Sequence, residues 1–330
     1  MNRTGWAIRV PICYVPHAPA AWEHLTSAIG IVTLAAAAVA WQLSEPTPAP
    51  DSADLDAYVV AMAGTASPST NQSTSRRSDL SRTRREILAG GYLGVTHTHP
   101  STVAINNPGR TDMTVRDFQW EGKPFKSPIY YGARIVNWPG GSRLGTMLDF
   151  THAKAIARFE DEATFTGTHE GRPLAPKAKV GDVFKHLEFS HGHNMLTLNA
   201  MTRLGSFAVQ PYIGAGAGIS LPHTEIAFRT ENGRTYEYQY AGLVGQALAG
   251  VQIRLGRATV FFEYKFSYAP YEVPLSGVVN GGYLFMDIWR QAKAWFARDT
   301  PPAGRLATPL LTHHAIGGVL LRTTSATAPQ

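Results

Sequence analysis

The chain has 330 residues, of which only 16% are charged against ~25% in an ordinary soluble domain, while 31 Gly, 13 Tyr and 14 Phe favour strands over helices. The net charge of +6 gathers most clearly at Arg76, Arg77, Arg82, Arg84 and Arg85, in a Ser/Thr-rich stretch without aromatics, which reads as a solvated linker and excludes nucleic acid as a partner. The only cysteine, Cys13, lies in the N-terminal leader, so the rest of the chain has no disulfide, Cys-based metal site or Cys nucleophile.

In chain order, Ser27 to Leu43 is a compact apolar run behind Arg3 and Arg9, which makes residues 1–43 an export signal or an uncleaved signal anchor. Pro46, Pro48 and Pro50 and the Ser/Thr/Arg stretch then give a flexible linker over 44–85. From Glu86 onward the pattern alternates with period two, predicting eight strands at 86–96, 129–138, 144–153, 187–202, 206–219, 235–254, 258–268 and 311–322. Connections around 139–142, 203–205 and 255–257 are short; those at roughly 97–128, 154–186, 220–234 and 269–310 are long. Long and short take turns, so an up-and-down sheet collects every long loop at one end and both termini at the other. An even strand number with that asymmetry is the pattern of outer-membrane barrels.

The two faces of the strands agree with this. Val260, Phe262, Tyr264, Phe266 and Tyr268 share one side, and Glu263 and Lys265 share the other. Phe207, Val209, Ile213, Ala215, Ala217 and Ile219 form another apolar face. The expected fold over 86–322 is therefore all-β: an eight-stranded antiparallel up-and-down transmembrane β-barrel, a monomer, followed by a tail at 323–330. A soluble sandwich alternates as well, but does not account for the regular long and short connections. Eight strands leave room for side chains and no open pore, so inward Arg134, Asp149, Asn199, Gln210, Glu263 and Lys265 are expected to pair as an interior network.

Apart from His17 and His24 in the leader, ten histidines remain, at 97, 99, 152, 169, 186, 191, 193, 223, 313 and 314. On these strand directions all ten fall at the loop end. His152, His193 and His223 come from the upper ends of three consecutive strands, within ~10 Å at ~4.8 Å strand spacing, and are candidate metal ligands. Imidazole with carboxylate nearby suits first-row divalent metals, and Asp149, Glu188 and Glu225 are close in sequence. Parity adds a constraint: with Asp149 inward, His152 points outward unless its strand has ended. Residues 284–298 of the last long connection recur with helical spacing and carry Trp289, Trp295 and basic residues, as in a helix that lies in a membrane interface.

Several stretches together resemble the outer-membrane lipid A oxidases: WEGKPFKSPIYYGARIVNW (120–138), LDFTHAKA (148–155), LEFSHGHNMLTLNAMTR (187–203), PYIGAGAGISLPHTE (211–225), YEYQYAG (236–242) and FFEYKFSY (261–268). The resemblance spans most of 86–322. It implies oxidation of the proximal glucosamine of lipid A in the outer leaflet to 2-aminogluconate, with O2 consumed, H2O2 released and a divalent metal in support. On that basis His152, His193 and His223 are the expected ligands. Asp149, Glu188 and Glu263 are expected to handle protons or support the ligands, and Arg134, Lys154 and Lys265 to hold phosphate or lumen carboxylates. No flavin or nicotinamide motif is present, since Gly214, Gly216 and Gly218 fall within a strand rather than between a strand and a helix. The chain departs from the pattern in its long leader and linker, its long last loop, and a final strand that runs on through RTTSATAPQ instead of ending on an aromatic. The competing functions are a non-catalytic surface barrel and a lipid A deacylase, whose nucleophile would be Ser190 beside His191, although adjacent strand residues point oppositely.

Overall fold

The computed structural model describes residues 85–140, 142–205 and 208–323, so the expected leader, the linker and the tail beyond 323 lie outside the described residues. Sixteen strands and two helices follow in order: β1 (Glu86–Thr98), β2 (Ser101–Asn107), β3 (Thr111–Phe118), β4 (Trp120–Glu121), β5 (Tyr131–Trp138), β6 (Leu144–Ala157), β7 (Glu162–His169), β8 (Arg172–Pro173), β9 (Lys177–Lys179), α1 (Val180–Val183), β10 (Phe184–Arg203), β11 (Val209–Ser220), β12 (His223–Phe228), β13 (Thr235–Tyr238), β14 (Leu243–Leu255), β15 (Ala258–Pro274), α2 (Leu284–Ala297) and β16 (Arg305–Thr323). Eight of them pair antiparallel in the order β1–β5–β6–β10–β11–β14–β15–β16, and β1 pairs back onto β16 from Ile87↔Thr323 to Thr98↔Thr312. The ring closes, so none of its eight strands leaves an open edge.

Along each ring strand, alternate residues point inward and are buried. Leu88 and Tyr92, Val136 and Trp138, Met147, Leu248, Phe261, Ile316 and Leu320 pack as one cluster inside the ring. Their neighbours, among them Leu93, Ile135, Leu148, Leu198, Leu243, Phe262, Val319 and Leu321, form an exposed apolar belt around its outside. At the end where β1 begins and β16 ends, Glu86 accepts hydrogen bonds from Arg203 (2.6 Å), Arg254 (2.9 Å) and Arg322 (2.8 Å), tying β1 to β10, β14 and β16.

The sequence-based expectation of eight strands holds for the ring and not for the whole chain. Three of the four long connections carry strands of their own, and the expected strand 235–254 divides into β13 and β14. β6, β10, β15 and β16 run past the ring at its upper end. There β2, β3 and β7 continue the sheet from β16, while β12 pairs with β10 and β13. This extension has its own apolar core, with Val103, Ile105, Phe118, Phe165, Phe184, Phe189, Tyr271 and Leu306 all buried. The connections are ordered because they bury apolar surface against the overhanging strands. Among the described residues no helix is long and apolar enough to cross a membrane.

Candidate functional site

Of the six inward polar residues anticipated from the sequence, Arg134, Asp149, Glu263 and Lys265 meet, Asn199 joins them through Gln246 (2.8 Å), and Gln210 bonds Gln252 (2.5 Å) instead. Arg134 donates through Nε to Asp149 (3.0 Å) and through both terminal nitrogens to Glu263 (2.9 Å each), with its guanidinium over the Tyr92 and Phe261 rings at 4.6 and 4.5 Å. Lys265 donates to Asp149 (2.5 Å), Thr151 (2.8 Å) and the Tyr92 hydroxyl (3.0 Å), and Tyr212 donates to Glu263 (2.8 Å). Two cations and two carboxylates, all buried, thus neutralise one another inside the ring. Parity places all four inward and apart from the outer face. Asp149 and Glu263, expected to handle protons, and Arg134 and Lys265, expected to hold phosphate, therefore have each other as partners.

The other candidates stand above the belt. His152 points outward as parity requires, stacked on Tyr131 of the neighbouring strand (ring centroids 4.6 Å, 20° between planes). Its Nδ1 faces Asn194 Oδ1 at 2.8 Å, and its Nε2 is buried without a hydrogen-bond partner. Lys154, two residues along the same face, donates to the Lys126 carbonyl (2.5 Å). His193 points inward, its Nδ1 against the Tyr271 hydroxyl and its Nε2 unbonded. His223 lies on the β12–β13 hairpin among Tyr236, Tyr238 and His191, with ring centroids 4.4–4.8 Å away, and neither ring nitrogen is bonded. Burial, with the charge His191 would carry adding to it, pushes the His223 imidazole down to about 4.

Of the three histidines expected to share a metal, His152 and His223 thus lie on the outer side and His193 points inward. The cause is local: the register of β10 on β6 shifts between Phe189↔Ala155 and His193↔Ala153. The extra residues include Gly192, whose φ of 139° is one that side-chain-bearing residues rarely adopt. Among the described residues, one set of metal-type side chains has its ligand atoms mutually within 4.8 Å: His186, Glu188 and Glu225. His186 Nδ1 is 3.1 Å from Glu188 Oε1 and 3.6 Å from Glu225 Oε1. Glu188 and Glu225 are direct cross-strand partners of β10 and β12, on the side away from the Leu187 and Phe189 core contacts. Burial raises the Glu225 carboxyl, and Glu188 beside it adds to the shift. Glu188 was a sequence candidate. Glu225 could be paired with it only once β12 was known to be a strand, because alternation alone leaves 220–234 as a loop.

Helix α2 confirms the expected amphipathic segment and shows which face is free. Its polar side docks on β13. Asp287 accepts from the Tyr238 and Gly282 amides (3.1 and 2.9 Å), Arg290 pairs with Glu237, and Gln291 donates to the Tyr238 carbonyl (2.6 Å). Phe285, Trp289, Trp295 and Phe296 are 60–87% exposed. Tyr238 joins this helix to the site, since its hydroxyl donates to the His191 carbonyl (3.0 Å).

No family model matches this chain, and no curated protein does. A solved structure similar to it is the outer membrane protein AlkL, determined by solid-state NMR in DMPC lipid bilayers: 12% identity, TM-score 0.37, 81% of this chain and 99% of that one covered. That likeness is too weak to carry an argument.

Proposed function

We propose that this chain is an outer-membrane β-barrel enzyme that oxidises the proximal glucosamine of lipid A to 2-aminogluconate. The observation that carries this is one of level. Among the described residues, the closed ring with its exposed apolar belt carries His152, Glu188 and Glu225 on its outer side above the belt, where His152 stacks on Tyr131. That is where the headgroup sugar of a leaflet lipid would lie. The segments that carry the resemblance are also neighbours in space: His152 of 148–155 pairs with Asn194 of 187–203, and Lys265 of 261–268 bonds Asp149.

In the reaction, the anomeric carbon gives up its hydrogen and the hydroxyl proton with two electrons. O2 takes two electrons and two protons to become H2O2. Hydrolysis of the resulting lactone leaves the acid, one oxygen heavier than the sugar. A divalent metal would supply an electron path between sugar and O2. From this chain, His152 and Glu188 are among the groups on the outer side that can take protons, and Lys154, buried and donating to the Lys126 carbonyl, would supply an ammonium to an anionic headgroup once that contact opens. The test is the mass of lipid A from cells with and without the protein: a gain of ~16 mass units on the proximal sugar, lost in His152→Ala, supports the proposal.

One observation favours a second reading, the deacylase. The distortion at Gly192 brings Ser190 Oγ within 3.4 Å of His191 Nδ1, which strict alternation would have kept apart. Loss of an acyl chain, abolished by Ser190→Ala, would select it.

A further inference from the structure

We infer that His186, Glu188 and Glu225 bind one first-row divalent cation on the outer side of the β10–β12 pair. First-row ions hold imidazole nitrogen and carboxylate oxygen at ~2.0–2.2 Å, so two donors around one ion stand ~3.0–3.5 Å apart. From His186 Nδ1, the 3.1 Å to Glu188 is within that spacing and the 3.6 Å to Glu225 just beyond it, with both acceptors converging on one nitrogen. Two glutamates directly opposite each other on neighbouring strands repel, and Glu225 is also largely buried, so an ion between them relieves both costs. One nitrogen with carboxylate oxygens favours a first-row ion over Mg2+ or Ca2+, which take oxygen alone.

A second, independent observation lies on the same face of β12. His223, two residues from Glu225 and fully buried, has no partner for either ring nitrogen, and its Tyr236 neighbour is the cross-strand partner of Glu225. Ligand-type side chains left unpaired therefore continue the row that starts at His186. The present counter-charge is Arg234, 3.3 Å from Glu225 Oε1 and 40% exposed, held also by the Val279 carbonyl (3.2 Å) and the Tyr236 ring (4.3 Å), so an entering cation competes with it for Glu225. The inference does not rest on the lipid A proposal: binding of an ion and oxidation of lipid A are read by different measurements.

The experiment uses the full chain refolded in lipid vesicles, cleared of metal and titrated with Mn2+ alone, with free Mn2+ read by its electron paramagnetic resonance signal. The expected result is one equivalent bound, weakened on the order of 100-fold in Glu188→Gln/Glu225→Gln and tightened several-fold in Arg234→Ala. His186→Gln, at a half-exposed position, reads the same site should the double variant misfold. The competing cluster on the outer side is His97, His99 and His313, where His99 and His313 approach to 2.6 Å, and His97→Ala/His313→Ala must leave binding unchanged. Binding lost in that pair, binding retained in the glutamate and His186 variants, or no stoichiometric binding would each overturn the inference. Oxidised lipid A without Mn2+ bound at these residues would overturn it too and leave the proposed function standing.

Discussion

Replacing Arg134 by Met tests whether the interior network holds the ring together. The guanidinium makes three charge-assisted hydrogen bonds, one to Asp149 and two to Glu263, and lies between two aromatic rings. Inside, Lys265 balances one carboxylate, so Arg134→Met leaves one uncompensated negative charge on a fully buried carboxylate. Removing one partner of a buried pair costs ~3–5 kcal/mol, and the lost cation–π contacts place this case near the upper end. Against a total stability of ~5–15 kcal/mol, that is a large fraction. Adding Glu263→Gln restores neutrality and keeps an acceptor for Tyr212, so the double variant is expected to recover ~2 kcal/mol or more relative to the sum of the singles. The assay is urea unfolding in lipid vesicles followed by tryptophan fluorescence, with the folded fraction checked at each concentration. A cost below ~1 kcal/mol for Arg134→Met, or strict additivity in the double variant, would refute the reasoning.

Three further outcomes are expected. Gly192→Ala forces a side chain into φ 139° with its Cβ 2.4 Å from the Asn194 amide, and should cost ~1–3 kcal/mol in the same unfolding assay. Glu86→Gln takes the anion away from three arginines at the terminal end and should cost ~2 kcal/mol, whereas Arg254→Gln, at a 41%-exposed partner, should cost under ~1 kcal/mol. If the exposed face of α2 rests in the leaflet, lipids brominated near the headgroup should quench the fluorescence of Trp289 and Trp295, and replacing both with Phe should remove that component.

The ring was legible in the sequence because its strands are amphipathic with period two, and the belt repeats the same signal at Phe262, Leu198 and Leu148. The interior network followed from parity, which needs only a correct face for each strand. The upper extension was not legible. β2 and β3 each alternate, with Val103 and Ile105 or Met113 and Val115 inward, yet they are short and bounded by Asn, Pro and Gly, so they read as loop. Their stability comes from packing on the overhanging ends of β15 and β16, which no local pattern announces. The histidines were placed at the correct end, but the register shift around Gly192, which turns His193 inward and away from the outward His152, was not visible in the alternation. The His186, Glu188 and Glu225 set required the β10–β12 register, a long-range pairing.

The central claim is chemical and is tested most directly by mass spectrometry of lipid A from aerobically grown cells with and without the chain. The account predicts a proximal sugar heavier by ~16 mass units, absent when His152 is Ala and present when the half-buried Ser190 is Ala. An unchanged lipid A spectrum, with the ring shown to be folded in the outer membrane, would contradict it.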